Sequence, residues 1–146
     1  MSKNLVDICV NLTDEVFSGN EDSIIDEANQ KNITKMVLVG NDLKSSKKCQ
    51  ILAQKYNFFS TAGYHPHNAK EWDENSYTEL QKLIKFENVR AVGECGLDFN
   101  RNFSSPEIQH KVFAKHIDLA KETGLPLFVY ERDAFHQMHK ILSENV

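Results

Sequence analysis

Hydrophobic residues in this chain are gathered into five short runs with longer polar stretches between them. The runs cover residues 5–12, 35–40, 58–65, 89–95 and 125–131. Polar stretches with helical periodicity cover residues 21–31, 44–56, 73–86, 105–123 and 133–143. Several of the runs are almost entirely apolar, as parallel strands covered on both faces are. The alternation therefore predicts successive βα units that build a parallel sheet.

Residues at the ends of the fourth polar stretch support this interpretation. Ser105 is a suitable N-cap, and Pro106 fits the first helical position, where a proline loses no helical hydrogen bond. Gly124 follows the stretch as a suitable C-terminal cap, and Pro126 prevents the helix from continuing. The sequence thus predicts a helix over residues 105–123, followed by a strand.

The composition is that of an ordinary globular domain. The chain has 146 residues, of which 40% are apolar and 26% are charged, and no linker or low-complexity segment divides it. We therefore expect a single domain over residues 1–146. The formal net charge of −4 argues against strong nonspecific binding to nucleic acid through charge alone. A local basic patch or a bound metal could still supply positive charge to a nucleic-acid site.

The cysteines and the N-terminal residues bear on the cellular compartment. Cys9, Cys49 and Cys95 are far apart in the sequence and form no C-x-x-C pair, which favours reduced thiols over a disulfide framework. The N-terminal segment lacks the apolar core of a signal peptide. No apolar run approaches the length of about 18 residues that spans a membrane. The sequence therefore predicts a cytoplasmic protein that does not contact a membrane.

Polar side chains that suit chemistry follow the predicted strands at their C-terminal ends. In parallel α/β folds these ends meet on one face, and the loops there form the active site. We therefore expect amide, imidazole, carboxylate and guanidinium groups to converge, from Asn11, His65, His67, Glu94, Asp98 and Arg132. For Asn11, a turn that satisfies its own backbone is an equal interpretation. For His67, a solvated loop histidine is an equal interpretation.

Glu94 is the residue that stability alone explains least well. It stands at the end of an apolar strand, between Gly93 and Gly96, where the pattern expects another apolar side chain. A buried carboxylate is costly unless it is paired, protonated or bound to a metal. The two glycines allow backbone or ligand to approach closely. We therefore interpret Glu94 as a functional residue.

Three segments of the chain are similar to a known family. They read DICVNLTD at residues 7–14, STAGYHPHN at residues 60–68 and VGECGLDFNRNFSSPEIQ at residues 92–109. Together they resemble the TatD family of metal-dependent deoxyribonucleases, which are amidohydrolase-like TIM barrels. The resemblance extends over essentially the whole chain. It implies an α/β fold of the (β/α) TIM-barrel type and hydrolysis of phosphodiester bonds in DNA.

The resemblance also implies roles for individual residues. It places divalent metal at the C-terminal face, Mg²⁺ or Mn²⁺ with Zn²⁺ as a further candidate, and puts the bridging carboxylate on Glu94. His65 and Glu94 would be catalytic, while His67, Asn11 and Arg132 would contact the DNA substrate. For Arg132, a salt bridge within its loop is an alternative to a phosphate contact.

Two positions depart from the family pattern. Many members carry H-x-H on the first strand as metal ligands, where this chain has Cys9 and Asn11. The histidine ligand of the fifth strand falls on Tyr130. A neutral phenol with a pKa of about 10 is a poor metal ligand. Of the ligands that the resemblance implies, Glu94 is the one clearly present.

The length of the chain sets a further expectation. An eight-stranded barrel takes about 250 residues, whereas the 146 residues here supply five βα units. Such a truncated barrel leaves its first and fifth strands with free edges and exposes apolar faces, which predicts self-association through those edges. The alternative to a working nuclease is a truncated, non-catalytic remnant that lacks most metal ligands.

Overall fold

The computed structural model describes residues 4–145 and contains the predicted alternation of strands and helices. Strands β1 to β5 span Leu5–Val10, Ile33–Leu38, Phe59–Ala62, Val89–Asp98 and Leu127–Arg132. Helices α1 to α5 span Glu21–Gln30, Leu43–Tyr56, Ser76–Ile84, Pro106–Thr123 and Phe135–Asn145. Two 3₁₀ helices, Glu15–Phe17 after β1 and Pro66–Glu71 after β3, are features that the hydrophobic pattern does not predict.

The sheet is parallel throughout, and its strands lie in sequence order from β1 to β5. Each of the first four helices therefore connects neighbouring strands, as in consecutive units of a (β/α) barrel. This arrangement puts the C-terminal ends of all five strands at the same end of the sheet. None of the helices in residues 4–145 is both long and apolar enough to cross a membrane.

Strand β4 is longer than its apolar run predicts. The run ends at residue 95, whereas the strand continues to Asp98 and pairs with β5 as far as Arg132. A hydrogen bond to another element holds the polar end of β4 in place: the Asp98 backbone N–H donates to Gln109 Oε1 of α4 at 2.8 Å. Glu94 consequently lies inside β4, and Asp98 is its last residue.

The helices pack against the sheet through three apolar clusters. The largest joins β3 and β4 to α3 and α4 and includes Leu80, Val92 and Leu119, all fully buried. A second cluster lies between β2 and the helices α1 and α2. The third joins β4 to α4 and α5 through Leu97 and Phe113. Each fully buried side chain of this size stabilises the fold by about 1.5–3 kcal/mol.

Several apolar side chains of the edge strands remain exposed. Leu5, Val6 and Ile8 of β1 keep 53%, 56% and 59% of their exposure, and Val129 of β5 keeps 39%. The central strand β4, by contrast, is buried along most of its length. Within the described residues, the prediction of two free edges with exposed apolar side chains is thus confirmed.

His116 ties α4 to the segment that follows β3. Its side chain is fully buried, and its Nε2 accepts a hydrogen bond from the Tyr64 backbone N–H at 2.9 Å. Its Nδ1–H donates to the Val112 carbonyl at 2.7 Å. Burial lowers the pKa of His116 from 6.5 to about 4, and the hydrogen bond to Val112 opposes this shift. The ring is therefore neutral in the folded protein at neutral pH.

We predict that Gly96→Ala destabilises the protein by more than a simple loss of backbone freedom. Gly96 has a φ of +137°, and a Cβ there would overlap the Tyr130 carbonyl oxygen, so that β4 and β5 would have to separate. We expect a loss of about 2–3 kcal/mol in the free energy of unfolding, measured by urea denaturation.

The matched control for this substitution is Gly124→Ala. Gly124 also has a positive φ, +70°, but open space surrounds the position of its Cβ. Gly124→Ala should lower the free energy of unfolding by about 1 kcal/mol, because alanine disfavours a positive φ. Equal losses for the two variants would contradict the steric argument.

We predict that His116 makes the free energy of unfolding fall as the pH is lowered from 6.5 towards 4. The unfolded chain takes up a proton near pH 6.5, whereas folded His116 stays neutral down to about 4. The unfolded state thus binds more protons in this window, so stability decreases as the pH falls. His116→Gln keeps polar atoms but does not titrate, and should flatten this part of the curve. Parallel pH profiles for the two proteins would refute the assignment.

Candidate active site

The C-terminal ends of β3, β4 and β5 bring the candidate side chains together. Backbone hydrogen bonds to the segment after β2 hold these ends in place. The His65 N–H donates to the Asn41 carbonyl at 2.9 Å, and the Glu94 N–H donates to the Gly40 carbonyl at 2.9 Å. The segment after β2 therefore positions both His65 and Glu94 through main-chain bonds, and β5 is held by its pairing with β4.

His65 caps the 3₁₀ helix after β3 and is largely buried. Its Nδ1 accepts a hydrogen bond from the His67 backbone N–H at 3.2 Å. The neutral ring therefore carries its hydrogen on Nε2. Burial, with a further contribution from the nearby His67, lowers the pKa of His65 from 6.5 to about 4. At neutral pH, His65 is an uncharged N–H donor rather than a cation.

His67 is held by a carboxylate at the end of β4. Its Nε2 lies 2.6 Å from Asp98 Oδ2, and the Asp98 side chain has no exposure to solvent. Asp98 Oδ1 accepts hydrogen bonds from the backbone N–H groups of Asn100 and Arg101, at 3.0 and 2.9 Å. Burial raises the pKa of the Asp98 carboxyl, but these donors and His67 outweigh it and hold the pKa below its usual value. Asp98 is thus a charged anchor for His67, which is not simply a solvated loop histidine.

Glu94 is in the opposite situation. It is largely buried, and burial raises the pKa of its carboxyl above the ordinary value, with His67 partly opposing the shift. Within residues 4–145, no side-chain or backbone donor forms a hydrogen bond to its carboxylate oxygens. Glu94 is therefore a carboxylate with uncommitted acceptor capacity, as expected of a group that binds a cation or a substrate.

Tyr130 lies beside the two histidines. Its ring centroid is 4.5 Å from that of His65 and 6.1 Å from that of His67. Its backbone is in register with Gly96 of β4, which lets the two strands approach closely. Tyr130, at the position where the resemblance implies a histidine, thus lies in the candidate site and packs against His65.

Asn11 and Arg132 lie at the periphery of the site. Asn11 Oδ1 accepts a hydrogen bond from Asn41 Nδ2 at 3.0 Å, and the Asn11 carbonyl accepts one from the Asp14 N–H. Asn11 therefore both satisfies a turn and connects to the site through Asn41. Arg132 is exposed at the end of β5, and its guanidinium pairs with no carboxylate of the described chain.

The described residues do not form a complete metal centre. Between residues 4 and 145, no group of three His, Cys, Asp or Glu side chains is placed to hold a metal ion. Glu94 has the chemistry of a metal ligand, but Tyr130 stands where the resemblance implies a histidine, and His65 presents a hydrogen at Nε2. These residues fit one ligand of such a centre and not the whole set.

Two contacts within the candidate site emerge only in the structure. Asp98, the second acid of its segment, carries no assigned role in the sequence, yet it holds His67. Its position before Asn100 and Arg101 is the signal that could have indicated a carboxylate folded back onto its own turn. Asn41 links Asn11 to His65, and its Oδ1 is buried without a partner in the described residues.

Comparison with known proteins agrees with the resemblance. A sequence profile described as TatD related DNase matches residues 6–146. A relative from Edwardsiella piscicida is 43% identical over 132 residues, which cover 89% of this chain and 51% of the relative. A relative from Dickeya dadantii is 37% identical over 141 residues, which cover 95% and 53%. Both are named 3'-5' ssDNA/RNA exonuclease TatD, and the chain spans about half the length of these curated relatives.

Solved structures give the same result for the fold. A hydrolase TatD family protein from Entamoeba histolytica has a TM-score of 0.89 and 27% identity, covering 99% of this chain and 55% of that one. A TatD homologue from Escherichia coli has a TM-score of 0.88 and 25% identity, covering 96% and 55%. The predicted α/β fold, five units of a TIM-barrel-type architecture, is confirmed.

We predict that Asp98→Asn lowers the free energy of unfolding by about 1–3 kcal/mol, because hydrogen bonds to a buried charge are replaced by weaker ones. The control is Asp118→Asn, since Asp118 is half exposed and pairs with Lys115 at 3.5 Å. It should change stability by less than about 1 kcal/mol. Urea denaturation of both variants measures the difference, and similar losses would show that Asp98 is not an anchor.

Proposed function

We propose that this chain, which belongs to the TatD related DNase family, contributes to a nuclease that hydrolyses phosphodiester bonds of DNA. The observation that carries the proposal is the convergence of His65, His67, Glu94 and Tyr130 at the C-terminal strand ends. The names of the relatives make single-stranded DNA and RNA the substrates to compare.

The geometry supports a distinct role for each side chain. His65 is neutral and carries a hydrogen on Nε2, so it suits donation to a phosphate oxygen. His67, held by Asp98, is a second substrate contact beside it, with ring centroids 4.2 Å apart. Glu94 supplies an unbonded carboxylate. The exposed Arg132 and the polar Asn11 are contacts for the flanking nucleic-acid backbone.

A divalent cation is part of the proposal, with Glu94 as the ligand that this chain offers. Carboxylate oxygen suits Mg²⁺ or Mn²⁺, and Zn²⁺ is a third candidate. The remaining ligands would have to come from outside residues 4–145, since these residues hold no group of three suitable side chains. Metal affinity of the chain by itself should consequently be weak.

The open edges of the sheet suggest how the site is completed. β1 and β5 present unpaired strand edges and exposed apolar side chains within the described chain. Further parallel strands that pair with these edges would cover the apolar surface and bring additional ligands to the same face. Self-association through the edges is the competing use of this surface, and the molar mass in solution distinguishes the two.

We predict that Glu94→Gln reduces the rate of cleavage by about tenfold to a hundredfold, the range for perturbing a metal centre. Glutamine keeps the shape but removes the charge of the one uncommitted carboxylate. The assay follows shortening of end-labelled single-stranded DNA and RNA in millimolar Mn²⁺ or Mg²⁺. Cooperative thermal unfolding of each preparation is verified first.

The matched control is Glu87→Gln, because Glu87 is an exposed glutamate before β4, away from the C-terminal strand ends. Its activity should equal that of the wild type. A cooperatively folded wild-type protein that cleaves neither nucleic acid would contradict activity of the chain by itself and support the non-catalytic alternative. Full activity in Glu94→Gln would show that Glu94 is not the functional carboxylate.

A further inference from the structure

The loop between β4 and α4 presents an aromatic ring to solvent beside the candidate active site. Phe103 keeps 52% of its exposure, although it is a large apolar side chain. Its ring centroid lies 4.9 Å from that of His67, with the two planes at 89°. Phe103 is thus in direct contact with a residue of the site, yet the described chain leaves it largely uncovered.

The position of Phe103 is fixed by hydrogen bonds on both sides of it. Before it, the backbone N–H groups of Asn100 and Arg101 donate to the buried Asp98 carboxylate. After it, the buried Ser104 donates through Oγ to the His67 carbonyl at 3.1 Å and accepts from the Lys70 N–H at 3.0 Å.

The Ser104 carbonyl also accepts from Gln109 Nε2 at 2.8 Å. The loop is therefore held at its two ends, and the exposed ring is presented on a rigid support. A preorganised aromatic side chain loses little conformational entropy when a flat ligand stacks on it.

A cationic side chain accompanies the ring. The Arg101 guanidinium carbon lies 5.9 Å from the Phe103 ring centroid. No carboxylate in residues 4–145 forms an ion pair with this guanidinium. An exposed aromatic ring with an unpaired arginine is the combination by which proteins hold unstacked bases and the adjoining phosphates.

We propose that Phe103 is a stacking platform for a base of single-stranded nucleic acid, and that Arg101 contacts the backbone phosphate next to that base. The proposal rests on the proposed function, in that the neighbouring site acts on nucleic acid, and adds the subsite that holds the strand. With a net charge of −4, the chain lacks a general electrostatic attraction for nucleic acid, so local contacts of this kind must carry binding.

The platform also predicts a preference between substrates. A ring can stack only on a base that has left its own neighbours, which costs little in a single strand and a few kcal/mol in a duplex. Single-stranded DNA and RNA should therefore both bind, since every base has a flat face, and duplex DNA should bind more weakly.

The test measures binding of the purified chain to two fluorescent oligomers in Mn²⁺. One is oligo-dT with phosphorothioate linkages that resist cleavage, and the other has the same linkages but abasic sugars. The wild type should bind oligo-dT about tenfold more tightly than the abasic oligomer. Phe103→Ala should bind the two oligomers with equal affinity, whereas Phe103→Trp should keep the preference for oligo-dT. Phe86→Ala is the matched control, because Phe86 is 47% exposed and precedes β4, away from the site.

Two further measurements separate stacking from charge. Binding of oligo-dT to Phe103→Trp should quench the tryptophan fluorescence more than it does in the wild type, whose single tryptophan is Trp72. Arg101→Ala should weaken the binding of both oligomers equally. It should also reduce the slope of log affinity against log salt concentration by about one, the value for one lost phosphate contact.

The proposal is wrong if Phe103→Ala binds oligo-dT as the wild type does or still prefers it to the abasic oligomer. That result leaves the proposed function intact as long as Glu94→Gln lowers cleavage. Loss of base preference in Phe103→Ala, with no cleavage by the folded wild type, supports the platform together with the non-catalytic alternative. Absence of oligo-dT binding by the wild type overturns the platform.

Discussion

The buried carboxylate of Asp98 is the interaction on which the arrangement of the site depends. It stands at the last residue of β4 and is fully buried, so its charge must be satisfied inside the protein. Two backbone N–H groups of the following loop and the ring of His67 provide this satisfaction. One group thereby fixes both the histidine after β3 and the loop that carries Phe103. His67 and the start of the loop that carries Phe103 therefore share one anchor.

The two acids of β4 have different environments, and this difference separates their roles. Asp98 is surrounded by donors that hold its pKa low, whereas burial raises the pKa of Glu94 and no donor in the described residues bonds to it. Environments that push two pKa values apart assign different functions to chemically similar groups. Asp98 accordingly positions its neighbours, and Glu94 remains available. Beside them, His65 is kept neutral by burial, so it offers a hydrogen without adding positive charge.

The edge strands of the open sheet carry apolar side chains that the described residues leave exposed. Parallel strands covered by helices need apolar side chains, and β1 carries them at Leu5, Val6 and Ile8 although nothing in the described chain covers them. The same strands end beside the candidate site, so a further strand that paired with either edge would also bring its side chains near the site. Covering the two edges would thus both stabilise the fold and add side chains to the candidate site.

The sequence by itself determined the order of strands and helices, because hydrophobic period and caps such as Ser105 and Gly124 act over a few neighbouring residues. It also indicated Glu94, since an acid in an apolar strand beside glycines conflicts with its local pattern. The role of Asp98 was decided only in the tertiary structure, because its bond to His67 joins residues 31 positions apart. The same holds for the contacts of Tyr130 with His65 and of Phe103 with His67, which arise where separate strands and loops meet. Local patterns record which residues prefer burial or a turn, whereas only the packing of strands decides which of them touch.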